Sequence, residues 1–440
     1  MRQRRGSRGG NHPTPERGAR GEEPGGKPAW FGPRLNSRGA WYRRALVRVL
    51  LFSELRSVHT YRWARGLAEA GLEIHVCSLH GDTGRAWRDV PGVTVTVLRG
   101  REMPAQAVRP GAMSKLRCLT SIFALRRVLR AWRPDLLHTH WATTNGGLAA
   151  LTDFRPRLLS VWGSDIEAFP RVSTLHAQFL RAVLARQDLV LATSRCLGES
   201  TRALTRTPVE VVPWGVDTAR FSPIGDRAHA PDAASGTRPI VTIGTVKRLE
   251  PIYGARDLVC AFLLARKRLQ PHVDLRLLLV GGGSEEGEVR RLLAAGGESS
   301  AAHLTGDVPY EEVPGWLRAL DVFCALSLRE SYGVAVAEAQ SCGKPLVVSD
   351  ATGFRELVEE GVQGYIVPRG HPETAARKIE QLARDAELRA RLGQQGRRHA
   401  LERLDWSTTV QRTLECYAQL LRKGLGESTR KAPGSLRHRD

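Results

Sequence analysis

No stretch of the 440-residue chain reaches the ~18 consecutive apolar residues that a membrane-spanning helix requires. Its longest apolar runs, such as Leu275–Gly283, have the length of buried strands. The first residues lack the apolar segment of a secretory signal, so a non-exported protein is expected. Cysteine is sparse: seven residues, an odd number, with no CxxC spacing. A disulfide framework and a zinc ribbon therefore lack support, and a reducing cytoplasm fits best. No G-x-x-x-x-G-K-[ST] occurs, and no G-x-G-x-x-G is followed by an acidic residue. A P-loop NTPase and an NAD enzyme are disfavoured accordingly.

What is present is ordinary globular composition, 42% hydrophobic and 25% charged. The net charge of +21 is uneven: residues 1–44 carry eleven basic and three acidic residues, and 422–440 carry six and two. More than half of the excess thus lies near the ends. A basic body suits a phosphate-bearing substrate, an anionic membrane or nucleic acid, and charge alone does not choose. No aromatic–basic RNA module is visible.

Residues 1–43 are rich in Arg, Gly and Pro and cannot bury a core, so a disordered basic tail is expected there. It reads as an electrostatic tether or as a plain solvated extension. From Arg44 onward, apolar strands alternate with helices, including a strand to Ser53, a helix over His59–Ala70 and a strand at Arg157–Trp162. Residues 223–239, rich in Pro, Ala and Gly, read as a linker. The alternation then restarts at Ile240. The sequence predicts an α/β protein of two doubly wound, Rossmann-like domains, 44–222 and 240–402, facing a central cleft. A C-terminal helix over 403–422 is expected to pack back on the first domain, followed by a second basic tail at 423–440.

The most informative segment runs from Ser327 to Pro345. A strand ends, a loop carries Glu330, and Gly333 precedes a helix whose first amides, from Val334, suit a phosphate. Glu338, one turn in, can accept hydrogen bonds from a ribose diol. Glu330 can do the same for a second polyol. Two carboxylates flanking an anion site suggest a sugar–phosphate–nucleoside ligand. An isolated E-x7-E pair would more simply be two solvated glutamates.

Set in strand–loop–Gly–helix–Gly–x–Pro, the pair resembles the C-terminal signature of GT-B glycosyltransferases of the retaining family four group. The resemblance covers about residues 46–421. It implies that Glu330 contacts the donor sugar, that Glu338 contacts the ribose, and that amides around Gly333 and Val334 hold the diphosphate. Ile243-Gly-Thr-Val-Lys247-Arg248-Leu resembles the family's basic loop, where a cation stabilises the leaving diphosphate. Lys247 stands at a usual Gly and Tyr253 at a usual second cation, so either Lys247 or Arg248 fills the role. The turn at Gly281–Gly283 resembles the family's V-G-x-G, and Gly306-Asp-Val308 the segment that meets the nucleobase. Glu356, in G-x-x-E-x-V, reads as a structural cap.

In the first half, Val161-Trp162-Gly-Ser-Asp165 resembles the family's H-G-x-D turn with Trp replacing His. Trp162 is then an aromatic wall for a sugar ring, and Asp165 either a hydroxyl contact or a turn cap. Pro213-Trp214-Gly215-Val216-Asp217 resembles an architectural segment before the linker. His59, in Ser53-Glu-Leu-Arg56-Ser-Val-His59-Thr-Tyr-Arg62-Trp63, is a substrate contact or a structural histidine. His138-x-His140 has strand alternation and no third metal ligand.

The resemblance implies a glycosyltransferase, with no metal and no cofactor, that moves a sugar from a nucleotide-diphosphate donor to a hydroxyl acceptor with retention. The leaving diphosphate acts as base at a front-face, oxocarbenium-like transition state. Cell-envelope polysaccharide or glycolipid synthesis, with a lipid-linked acceptor and peripheral contact at the inner face of an anionic membrane, is the expected setting. A nucleotide-sugar epimerase of the same shape and a nucleic-acid-binding protein are the alternatives.

Overall fold

The structure, a computed structural model, describes residues 47–81, 87, 90–98, 112–228 and 238–430, without the side chains of 112–119 and 423–430. Segments such as Leu136–His140 are buried at every position. That pattern belongs to parallel strands covered on both faces. The first sheet is built from β1 (Arg48–Phe52), β2 (Glu73–Ser78), β3 (Val93–Val97), β4 (Leu136–His140), β5 (Arg157–Val161), β6 (Leu189–Ala192) and β7 (Val209–Val211). Its order is β3-β2-β1-β4-β5-β6-β7, every pair parallel. The second contains β8 (Ile240–Val246), β9 (Asp274–Val280), β10 (Ala302–Leu304), β11 (Val322–Ala325), β12 (Leu346–Ser349) and β13 (Gly364–Val367). Its order, β10-β9-β8-β11-β12-β13, is also wholly parallel. Strand order reverses between β1 and β4 and between β8 and β11, where ligands of such sheets bind.

The first sheet carries α1 (Val58–Glu69), α2 (Ala112–Trp132), α3 (Thr144–Ala150), α4 (Ser164–Glu167), α5 (Thr174–Ala185) and α6 (Arg195–Arg202). The second carries α7 (Ala255–Leu269), α8 (Glu286–Ala295), α9 (Val313–Ala319), α10 (Val334–Ser341), α11 (Pro372–Arg384) and α12 (Ala386–Arg403). The last helix, α13 (Trp406–Arg430), returns to the first sheet. Val216 donates to the Leu404 carbonyl at 2.6 Å, and Trp406 donates back to Val216 at 2.9 Å. The Trp406 ring meets Trp63 of α1 edge-on at 5.5 Å, and the Tyr417 hydroxyl meets His138 Nδ1 at 2.6 Å. Tyr417, Leu414 and Leu420 are buried. Each fully buried large apolar side chain contributes roughly 1.5–3 kcal/mol.

Several boundaries differ from expectation. The turn at Gly163–Asp165 starts the one-turn helix α4. Helix α12 runs on to Arg403, and α13 continues to Arg430 through residues expected in the basic tail. Three helices, α5, α6 and α9, lie where the alternation suggested none. In α5 two apolar residues, Leu175 and Phe179, face outward and blur the period. Helix α6 (RCLGESTR) is short and polar, and α9 (VPGWLRA) carries Pro and Gly. The predicted N-terminal tail, residues 229–237 of the linker and residues 431–440 lie outside the described residues. No described helix is long and apolar enough to cross a membrane.

Candidate active site

The loops leaving the carboxyl ends of the second sheet converge. Lys247 follows β8, and its ammonium contacts the Glu330 carboxylate on the loop after β11. Both side chains are only 15% exposed. The ammonium also lies 4.3 Å from the centre of the Tyr253 ring, a cation–π contact that holds it over the loop. Arg248 turns away: 65% exposed, it pairs with Glu250 at 3.1 Å. The structure therefore brings Lys247, and not Arg248, onto the loop of Glu330. The guanidinium of Arg248, the other cation of this loop, is drawn outward by Glu250.

Gly333 ends that loop with φ 106°, and a Cβ there would lie 2.8 Å from the Phe354 ring. Only glycine meets both demands. Helix α10 begins next. Among the described residues the amides of Val334 and Ala335 have no hydrogen-bond partner, while Val336 and Ala337 donate to Gly333. These open amides and the helix dipole form an anion cradle. Gly281 donates to the Gly306 carbonyl at 2.9 Å and so ties the β9 and β10 loops together. Val308 packs partly buried on the core nearby.

Glu338, inside α10, is 5% exposed and accepts a hydrogen bond from the Tyr310 hydroxyl at 3.0 Å. Burial pushes its pKa up to about 7, against the opposing pull of Arg62, Tyr310 and Arg220. Arg62 comes from α1, where it donates to the Gly215 carbonyl at 2.6 Å and lies over the Trp406 ring at 4.4 Å. A guanidinium of the first domain thus bears on the second domain's buried carboxylate.

The first domain contributes an aromatic wall. His59, near the start of α1, stacks on Trp214 with centroids 4.2 Å apart, and Trp162 stands edge-on to Trp214 at 5.3 Å. Behind Trp162 lies His140, at 5.1 Å and fully buried. Its Nδ1 meets Ser53 Oγ at 3.0 Å, and burial drives its pKa well below the usual imidazole value. His138 is held between Tyr417 and Ser160.

Asp165 does not reach the cleft. Its carboxylate, 1% exposed, accepts the amides of Ala142, Trp162 and Gly163 at 2.9, 3.1 and 2.9 Å. Burial still raises its pKa, with those amides opposing. Of the two readings the sequence left open, the geometry is that of a turn cap that sets Trp162.

Among the described residues the two halves meet in several places around this wall. Gly163, at φ 131°, has no room for a Cβ, which would fall 2.1 Å from Ser331 Oγ. The Tyr332 hydroxyl donates to the Trp214 carbonyl at 2.6 Å. The Glu356 carboxylate accepts the amides of Arg195 and Cys196, both at 2.8 Å, at the start of α6. The cap expected of Glu356 thus spans the cleft. Trp214, Tyr332, Tyr310 and Arg62 were not singled out from sequence. Trp214 and Tyr332 lay inside quoted motifs, but nothing in the pattern marks a tyrosine hydroxyl that reaches the other domain.

Two parallel sheets with loops converging between them, a cation and carboxylate beside a helix-terminal anion cradle, and a facing aromatic wall define a GT-B glycosyltransferase. Residues 234–399 match the family described as glycosyl transferases group 1, and residues 48–194 match glycosyl transferase 4-like. The chain belongs to the group 1 glycosyltransferases, and it is an enzyme of glycosyl transfer. It is 28% identical over 412 residues to a D-inositol 3-phosphate glycosyltransferase of Pseudarthrobacter chlorophenolicus, covering 86% of this chain and 93% of that protein. A protein of the same name from Kribbella flavida is 29% identical over 401 residues, covering 82% and 89%. Among solved structures, sucrose-phosphate synthase of Thermosynechococcus elongatus superposes with TM-score 0.71 at 19% identity, over 86% of this chain and all of that one. Anabaena HepE in complex with UDP and glucose gives 0.68 at 20% identity, over 85% of this chain and all of that one.

Proposed function

We propose that the enzyme transfers a sugar, with retention at the anomeric carbon, from a nucleoside diphosphate sugar to a hydroxyl of a ring-shaped polyol or sugar acceptor. The observation that carries this reading is the contact of Lys247 with Glu330 beside the open amides of Val334 and Ala335. The amides and Lys247 bind the diphosphate, and Lys247 offsets the charge that grows on it as the glycosidic bond breaks. Glu330 takes donor-sugar hydroxyls and Glu338 the ribose diol. No side chain serves as nucleophile: the departing phosphate oxygen accepts the proton of the acceptor hydroxyl, which attacks from the same face. The nucleotide sugar is a co-substrate, and no resident cofactor or metal is required.

The acceptor ring lies against Trp162, whose apolar face suits the C–H face of a sugar. A cyclic polyol acceptor accords with the name of the D-inositol 3-phosphate glycosyltransferases, and UDP as the donor's nucleotide accords with the UDP complexes of HepE. We place the reaction at the cytoplasmic face of the membrane, in cell-envelope polysaccharide or glycolipid synthesis, with an acceptor that includes lipid-linked glycans. The test is a nucleotide-sugar panel screened by thermal shift, followed by transfer to inositol phosphate, free sugars and lipid-linked glycans. A donor that stabilises the protein but is only hydrolysed or epimerised would reject the transfer.

A further inference from the structure

The loops of the cleft leave the far end of β5. At its near end, Arg157 opens the strand, about 16 Å of chain from Trp162 at ~3.3 Å per residue. Here the first domain has a recess of about 400 Å³ lined by Leu151, Thr152, Asp153, Arg155, Arg157 and Arg186, with Ala150 at its edge.

Its charges do not balance. Arg155 pairs with Asp188, and Asp153 lies 3.8 Å from Arg126. Among the described residues Arg157 and Arg186 have no carboxylate partner. Arg157 is 4% exposed, and its guanidinium donates only to carbonyls: Thr152 at 2.9 Å, Arg186 at 2.6 Å, and Ala149 and Ala150 at 3.3 and 3.4 Å. Its Nε–H is buried without any partner. Carbonyl dipoles orient a guanidinium but leave its charge in place. Burial lowers the Arg157 pKa to about 10, Arg155 and Arg186 push the same way, and the Asp153 carboxylate opposes them. A nearly buried cation with no carboxylate partner, beside two further guanidiniums and an open recess, favours an anion there.

We propose that Arg155, Arg157 and Arg186 form a second anion site, remote from the cleft, that takes a phosphate group. The planar forks of arginine match phosphate oxygens in pairs, which favours phosphate over a carboxylate. The phosphate comes either free in solution or on a lipid headgroup. One apolar side chain lines the recess and faces outward: Leu151 is 47% exposed. Arg126 donates to the Leu151 carbonyl at 2.7 Å.

The experiment uses the full-length protein and two charge reversals, Arg186→Glu in the recess and Arg412→Glu on the exposed side of α13. Binding of inorganic phosphate is measured by titration calorimetry, and binding to phosphatidylcholine vesicles with and without phosphatidic acid by flotation. Saturable binding that R186E weakens at least tenfold, with R412E within twofold of the native chain, supports the site. Loss in the calorimeter assigns free phosphate as the source, and loss confined to vesicles assigns the lipid. Absence of saturable binding to either probe overturns the site. So do equal losses in both variants, which would report diffuse charge. Binding untouched by R186E would place the phosphate at the donor cradle and overturn it too.

Discussion

The Lys247 ammonium contacts the Glu330 carboxylate across 83 residues of sequence and joins the loop after β8 to the loop after β11. This pair sits where the two switch-point strands of the second sheet end. A cation acting on the departing diphosphate is worth more in the transition state than in the ground state. Lys247→Ala should therefore lower kcat on the order of 10²–10³-fold and raise the donor KM far less. Arg248→Ala should stay near the native rate, because its side chain is exposed and held by Glu250. Steady-state kinetics on both variants, with the donor varied, check the contrast.

Glu338 offers a pH test. Its folded pKa, about 7, lies above the ordinary value of 4.5 because it is buried. A raised acid favours the folded state while it is protonated. That contribution is full below about 4.5 and is lost as pH rises through about 7. Across that window the ligand-free protein should lose stability, and Glu338→Gln should flatten the curve. Donor affinity should move the opposite way and rise with pH, since the ribose diol donates to the carboxylate. At pH 8 the same substitution should weaken nucleotide binding by roughly 1–3 kcal/mol. Thermal melts and calorimetry at several pH values measure both slopes.

Glu356 ties the second domain to the start of α6 by two charge-assisted hydrogen bonds. Glu356→Ala should open the cleft, seen as a larger radius of gyration in small-angle scattering. Its donor KM should rise several-fold, since the working cleft must be re-formed by binding energy. Glu356→Gln, which keeps acceptor oxygen, should be intermediate. An unchanged scattering curve would remove the residue from control of the cleft.

The acceptor contact proposed for Trp162 can be told apart from a donor contact. Trp162→Ala should raise the acceptor KM at least tenfold and leave nucleotide affinity within twofold. Equal effects on both substrates would show that the wall only supports the fold.

Much of this was legible beforehand, for physical reasons. Parallel strands covered on both faces leave continuous apolar runs, so β1 and β5 could be read to within a residue at their carboxyl ends. The placing of Glu330, Gly333 and Glu338 on one loop and the helix after it was legible because these three lie close together in sequence. The remainder depends on long-range approach. Whether Lys247 or Arg248 turns inward is decided by Tyr253 and Glu250, and adjacent strand-end residues look alike in sequence. Asp165 was ambiguous because a capping aspartate and a sugar-binding aspartate share the same turn. Helix α5 was missed because its exposed apolar side chains carry no clean period.

The return of α13 ties the order of assembly to the direction of synthesis. Residues near the start of the described chain, Trp63 and Gly66 of α1, find their cover in Trp406 and Val410. The inward His138 finds its partner in Tyr417. On the ribosome these early residues emerge hundreds of positions before the segment that closes over them, 279 in the case of His138 and Tyr417. The first sheet must therefore wait with one flank bare while the whole second domain is made. A stop codon late in the message, even one that spares every donor-binding loop, would leave that flank open for good.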